Sequence, residues 1–315
     1  MIEPISVGRG QATGKIILMG EHAVVYGEPA IAIPFPAVTI DALIESTTQP
    51  EIELNCYFYQ GLLSEAPSSL GNLKVAIEKT LVTLKQPMSH LKLTIHSTVP
   101  AERGMGSSAA VAVSTIRGLY DYFKVPLSTE KLLNLTNLAE SVAHGNPSGL
   151  DAAMTSGTVP LYYVKNQPFQ PFDLQLKAYL IVADTGITGQ TRAAVADVAA
   201  LYQANPLAVQ PKITALGDLV KKSKEAIERN LPVELGAYMN QAQQLLSELT
   251  VSSPELDRLI AAANTAGALG AKLTGGGRGG CLLALTTDIE MAKSIESALK
   301  NNGATMTWIY QMGGN

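Results

Sequence analysis

Cysteine and charge are scarce in this 315-residue chain: it has two Cys, and Asp, Glu, Lys and Arg together make up only 16%. Cys56 and Cys281 are too few for a disulfide framework, and neither lies at a metal-ligand spacing. No apolar run approaches the roughly 20 residues needed to cross a bilayer. The segment from Met1 to Gly20 lacks a cationic stretch followed by a clean apolar run, so a signal peptide is not expected. These absences together predict a reducing, cytoplasmic setting. A basic excess is missing too. Lys and Arg number 23 against 27 Asp and Glu, giving a net charge of −4 and a pI near 5.6. That balance argues against nucleic acid or an anionic membrane as the main partner. An anionic ligand must then be met by a local cluster of donors. Internal repeats and low-complexity segments are also absent.

What the chain does have is apolar residues, 46% of the total, with a mean hydropathy of +0.15. This excludes disorder and implies an extensive core. The length exceeds one ordinary core, so two domains are expected. Lys15 to Leu18, Val38 to Ile44 and Leu91 to Ile95 read as strands, with a helix over Asn72 to Leu84 between the last two. A helix starting near Ser107 carries the stripe Val111, Ile116, Leu119, Tyr120 and Phe123. Ser128 can cap another, with the stripe Leu132, Leu135, Ala139 and Val142. Val159 to Val164 is strand-like. The domain boundary is expected near residue 174, giving domains 1–174 and 175–315. Beyond it come a strand at Ala178 to Ala183, three helices within 190–266 and a hairpin around Gly275 to Gly280. A helix at 288–301 and a strand at Thr305 to Tyr310 close a mixed α+β order.

Three segments concentrate residues suited to chemistry: GKIILMGEHAVVYG at 14–27, PAERGMGSSAA at 100–110 and KLTGGGRGGC at 272–281. In the second, Pro100 breaks a strand, Gly104 and Gly106 make a tight turn, and Ser107-Ser108-Ala109-Ala110 opens a helix. Backbone N–H groups and the positive end of the helix dipole would then face one hollow, which suits a phosphate chain. A Walker A loop is absent: Gly10 to Gly14 is one residue short, and Lys15 is followed by Ile16. Gly104-x-Gly106-x-x-Ala109 satisfies the loose dinucleotide pattern, which keeps a nicotinamide-linked oxidoreductase open. Against that reading, Pro100 to Arg103 separate strand from glycines, and no strand ending in an acidic residue lies about 20 residues on. The G-x-S-x-G nucleophile elbow fails at Ala110.

Taken together, the three segments resemble the three motifs of the galactokinase, homoserine kinase, mevalonate kinase and phosphomevalonate kinase (GHMP) superfamily. GEHAVVYG, HGNPSGLD at 144–151 and ADTG-x-x-GQT at 183–191 are similar to its mevalonate kinase branch in particular. The resemblance implies a two-domain α+β fold, its N-terminal domain like the second domain of ribosomal protein S5 and its C-terminal domain ferredoxin-like. It implies ATP-dependent phosphorylation of mevalonate with Mg²⁺, and leaves room for a homodimer. Asp151 corresponds to the catalytic aspartate and Lys15 to its cationic neighbour. From the residues alone, Asp151 reads first as a helix cap before Ala152-Ala153-Met154, and Lys15 as a solvent-facing strand-start lysine, the commoner case. The phosphate loop would comprise Arg103, Gly104, Met105, Gly106, Ser107, Ser108 and Ala109. Ser108 and Glu140 correspond to metal ligands, although the helical pattern by itself places Glu140 beside Leu133 and Thr136 as a solvated glutamate. Glu21 and His22 correspond to acceptor-binding positions, joined by His144, Ser148 and Thr185. The third motif, Gly275, Gly276 and Gly277, would shape the phosphate site, while Arg278 reads equally as a phosphate contact or as an outward-pointing solubilising arginine, and Lys272 and Arg103 carry the same ambiguity. A phosphomevalonate acceptor would need more Lys and Arg than these segments offer. A non-catalytic regulator of the same fold fits poorly with intact Lys15, Ser108 and Asp151.

Overall fold

The computed structural model describes residues 7–99, 103–144 and 148–313. In chain order its elements are β1 (Val7–Met19), β2 (Ala30–Ser46), β3 (Glu53–Cys56), β4 (Tyr59–Leu62), α1 (Gly71–Leu84), β5 (Leu91–Ser97), α2 (Ser107–Tyr122), α3 (Thr129–His144) and α4 (Leu150–Ser156). There follow β6 (Leu161–Tyr163), β7 (Gln170–Pro171), β8 (Ala178–Asp184), α5 (Thr191–Ala204), α6 (Pro206–Glu228), α7 (Pro232–Glu248) and α8 (Pro254–Thr265). The last elements are β9 (Gly270–Thr274), β10 (Cys281–Thr286), α9 (Ile289–Asn301) and β11 (Met306–Met312). By packing, these group into two compact units: Met1–Lys15, Val38–Pro100 and Gly106–Thr158 in one, Ile16–Ala37, Ala101–Met105 and Val159–Asn315 in the other. Neither unit is a single stretch, because β1 and β2 each contribute residues to both. A cut near residue 174 is a division along the sequence, whereas packing interleaves the segments.

In the first unit, Ile40 to Ser46 of β2 pair antiparallel with β5, β3 runs parallel to β5, and β3 and β4 form a hairpin. Helices α1, α2 and α3 pack on one another around Ala76, Ala112 and Ala139, all fully buried. A methyl group at each contact lets three helix backbones approach closely. The β1 strand lies on α2 with almost no side chain between them. A Cβ on Gly8 would stand 2.3 Å from the Gly118 carbonyl oxygen, and one on Gly10 2.0 Å from that of Ser114. The strand therefore runs antiparallel along the helix axis, from the C-terminal turn of α2 toward its start. That path delivers Lys15 to the first turn of α2.

In the second unit, β8, β9, β10 and β11 form an antiparallel sheet in the order β11-β8-β10-β9. Numbered within this sheet, the order is 4-1-3-2 with helices between the first and second and the third and fourth strands. This is the ferredoxin-like split βαβ arrangement. Every residue of β9 and β10 is buried, so this half of the sheet, the β9 edge included, is covered on both faces. Helices α7, α8 and α9 contact it, and Phe35 meets Trp308 and Tyr310 of β11 edge-on.

Two expectations need correction. Residues 190–266 hold four helices, not three. The Asn205 side chain accepts from the Ala208 N–H and Pro206 occupies the first helical position, so α5 ends and α6 begins across a single residue. On α3, Leu132, Leu135 and Ala139 are buried as expected, but Val142 is 55% exposed. The buried face runs instead through Thr136 and Glu140, four and eight residues beyond Leu132.

Candidate active site

The first cluster belongs to the unit that contains α2, α3 and α4. Gly106 is the N-cap of α2 at φ 72°, with no side-chain cap. The first intrahelical bond runs from the Ala110 N–H to the Gly106 carbonyl. The N–H groups of Ser107, Ser108 and Ala109 thus have no partner within the helix, and the dipole's positive end lies with them. Gly106 is required twice over. Its left-handed backbone disfavours any residue with a Cβ, and that Cβ would stand 2.8 Å from Lys15 Cγ and 3.1 Å from Thr155 Cγ2. The helix start rests directly on the lysine stem.

Lys15 is not a solvent-facing strand residue. Its side chain is 8% exposed, and its Nζ lies 3.0 Å from Asp151 Oδ1. Asp151 does not cap its helix either. The N-cap of α4 is Gly149, with no side-chain cap bond, and Asp151 sits in the first turn, 40% exposed at its side chain. A carboxylate there is favoured by the helix dipole and paired with a buried cation, yet still open to a ligand. Arg117 of α2 fixes this arrangement, donating to the carbonyls of Gln11 on β1 and Ser156 at the end of α4. Nothing in the sequence pattern singles out Arg117, whose role is to tie the strand bearing Lys15 to the helix bearing Asp151.

Ser108 and Glu140 meet as the resemblance implies. The Ser108 hydroxyl donates to Glu140 Oε1 at 2.7 Å, and Glu140 is only 2% exposed. The side-chain nitrogen of Asn72, on α1, lies 2.5 Å from both Ser108 Oγ and Glu140 Oε1. Asn72 was missed by sequence reasoning. Its one available signal is the spacing to Ala76, four residues on, which matches that of Ser108 to Ala112.

The second cluster belongs to the other unit. Glu21 and Lys272 form an ion pair in which both side chains are essentially inaccessible to solvent, and Lys272 Nζ also donates to the Leu273 carbonyl. Burial pushes the Lys272 ammonium below its usual range, while the Glu21 charge opposes that shift. Lys272 is therefore committed inside the protein and is not a surface cation. His22 holds φ 60°, ψ −45°, a sparsely populated backbone conformation. Its Nε2 lies 3.0 Å from the Gly276 carbonyl oxygen and so donates to it. Burial lowers the His22 pKa, the Gly276 bond opposes this, and the Arg278 charge lowers it further. A neutral ring donating from Nε2 offers only an acceptor at Nδ1, so contact with a carboxylate ligand through this ring requires uptake of a proton.

Arg103 spends its guanidinium on the protein. Nε donates to the Asp184 carboxylate at 2.9 Å, Nη1 to Thr188 Oγ1 and Nη2 to the Gly186 carbonyl. Thr185 donates its hydroxyl to the Gly280 carbonyl at 2.8 Å. Arg278, at φ 56°, pairs with Asp197 and donates to the Thr250 carbonyl, which makes it a loop clamp. The third motif packs tightly. A Cβ on Gly276 would meet Thr191 Oγ1 at 2.1 Å, one on Gly277 the Val251 oxygen at 2.0 Å, and one on Gly275 the Gly104 Cα at 3.4 Å. Met105 and Ala109 are buried and anchor the loop and the helix start. Ser148 is exposed and accepts from the Leu150 N–H at 3.3 Å. The backbone of His144 ends α3; its side chain, like residues 100–102 and 145–147 of the two motifs, lies outside the described residues.

Comparison with known proteins points one way. The family model for the GHMP kinases N terminal domain matches residues 72–157, and that for the GHMP kinases C terminal matches residues 223–305. The mevalonate kinase of Pyrococcus horikoshii is 36% identical over 312 residues, spanning 93% of this chain and 92% of its own. Among solved structures, L. major mevalonate kinase in complex with R-mevalonate superposes with a TM-score of 0.86 at 27% identity. That match covers 100% of this chain and 99% of the other. The mevalonate kinase from methicillin-resistant Staphylococcus aureus gives a TM-score of 0.78 at 34% identity, over 98% of this chain and 100% of that one.

Proposed function

The chain belongs to the GHMP kinase family, and from that premise we propose that it is a mevalonate kinase, moving the γ-phosphoryl group of ATP to the 5-hydroxyl of (R)-mevalonate. The observation that carries the reading is the Lys15–Asp151 pair beside the open start of α2, in a chain that is 36% identical to a mevalonate kinase over nearly its full length. The α2 N–H groups of Ser107, Ser108 and Ala109 bind phosphate oxygens. Asp151 accepts a hydrogen bond from the acceptor hydroxyl, aligns it for in-line attack and takes its proton as the new P–O bond forms and ADP departs. Lys15 pairs with the Asp151 carboxylate and offsets charge on the transferring phosphoryl oxygens. Glu21, His22, Ser148, Thr185 and His144 are assigned to the acceptor. The division at residue 174 is retained as a functional one, with the phosphate loop and Asp151 before it and the third glycine motif after it.

Two hard oxygen donors, Ser108 Oγ and Glu140 Oε1, stand 2.7 Å apart, a donor set that fits Mg²⁺ held by few protein ligands with phosphates and water completing the shell. When bound, the ion would neutralise charge on the β- and γ-phosphates. Among the described residues no helix is long and apolar enough to cross a membrane. The acidic charge balance supports small-molecule ligands and the scarcity of cysteine supports a cytoplasmic setting, and a homodimer is compatible with both.

Phosphorus NMR of the purified chain with ATP, Mg²⁺ and (R)-mevalonate tests this reading. A phosphomonoester should appear in step with ADP. In Asp151→Asn the rate should fall at least about 100-fold, in line with a lost general base, while the affinity for ATP is unchanged. ADP without a new phosphomonoester, or a folded Asp151→Asn protein keeping more than about a tenth of the rate, contradicts it.

A further inference from the structure

Asn72 belongs to none of the three motifs, yet it touches both groups assigned to the metal. Its Nδ2 lies 2.5 Å from Ser108 Oγ and 2.5 Å from Glu140 Oε1, and those two atoms are 2.7 Å apart. An amide nitrogen carries two hydrogens, one for each neighbour. The orientation is fixed by chemistry, because an ionised carboxylate only accepts and the amide oxygen would be repelled by it. Asn72 is also not a cap: the N-cap of α1 is Leu70, and no side chain caps this helix. Its side chain turns away from its own helix end and toward α2 and α3.

The helix junction explains how the three meet. Asn72 lies one turn before Ala76, and Ser108 one turn before Ala112, so each shares a face with the alanine its helix contributes to the close contact. Glu140 directly follows Ala139, the third of these alanines. Three polar groups from three helices are thereby stacked on a small-residue layer that holds their separation.

We propose that Asn72 is the positioning residue of the metal site: it holds the Glu140 carboxylate and the Ser108 hydroxyl oxygen side by side, so that both present a lone pair to one divalent cation. The proposal rests on the reading of Ser108 and Glu140 as metal ligands. A group that hydrogen-bonds a ligating carboxylate orients it, and losing such a group typically costs about 10–100-fold in metal affinity. The role predicts a selective effect. Nucleotide binding without metal depends on the α2 N–H groups and should not sense Asn72.

The test is calorimetry of the full chain with the non-hydrolysable ATP analogue AMPPNP, once with Mg²⁺ and once with EDTA. The ratio of the two dissociation constants measures how much the metal tightens binding. Asn72→Leu keeps the side-chain volume and removes the donor; it should lower that ratio about tenfold while the EDTA value stays at wild type. Asn72→Ala should do the same. Glu140→Gln should collapse the ratio toward one. If wild type and Glu140→Gln both show a ratio of one, the metal reading of the pair falls, and the Asn72 role with it. If Glu140→Gln behaves as expected but both Asn72 variants match wild type, only the Asn72 role is overturned. Failure of both Asn72 variants to fold, beside a folded Glu140→Gln, overturns it as well and makes Asn72 a packing residue.

Discussion

Lys15 shows how a residue ordinary in the sequence becomes specific through its surroundings. A lysine in a strand usually points to water. Here a neighbouring helix starts at a glycine, and the lysine stem fills the space where a Cβ would be. Gly106→Ala tests this directly. The left-handed backbone alone costs an alanine about 1–2 kcal/mol, and its methyl group would press on Lys15 Cγ, which is too near the backbone to swing aside freely. The ammonium must then move relative to Asp151. Misplacement by about 1 Å can cost 10²-fold in rate, so kcat should drop at least about tenfold while the protein stays folded. A folded Gly106→Ala variant with kcat within twofold of wild type would show that the contact does not set the lysine.

At the scale of elements, the alanine junction of α1, α2 and α3 is the feature on which the metal-site residues depend. Replacing Ala112 by Leu inserts three carbons where none fits. Overpacking of this kind costs about 1–3 kcal/mol, so the denaturation midpoint should fall, and the KM for Mg²⁺–ATP should rise as Asn72, Ser108 and Glu140 separate. An unchanged midpoint would mean that the helices are not in close contact there. The same helices show what a sequence discloses and what it hides. The start of α2 was legible because glycines followed by serines announce a helix opening. Glu140 was not legible from pattern alone: on α3 the buried face carries Thr136 and Glu140 in place of apolar residues, while the apolar Val142 faces out. An amphipathic stripe reports the inner face of a helix only where that face is apolar, and a buried polar site inverts the signal. The split of α5 from α6 left no loop to read, although Asn205 followed by Pro206 carries the signal of a new helix start.

Across the whole molecule, the mixed α+β order was within reach of strand and helix order, and so was the hairpin that carries the third motif, whereas the ferredoxin-like second half came from the family resemblance and not from the pattern. The interleaving of the units was not, because strands such as β2 run through Pro34 and Pro36 and read as shorter than they are. The pairing of Asp151 with Lys15, of Glu21 with Lys272 and of Arg103 with Asp184 links positions 136, 251 and 81 residues apart, respectively. No local pattern encodes such distances; the resemblance to a family supplied the first, and only the fold supplied the other two. What the molecule does with these groups is decided by its choice of acceptor. The most direct measurement is kcat/KM from ADP release with (R)-mevalonate, phosphomevalonate, galactose and homoserine, at saturating ATP and Mg²⁺. The account predicts that mevalonate ranks first, with phosphomevalonate well below it for want of cations to receive a second phosphate. A higher kcat/KM for any of the other three would contradict it.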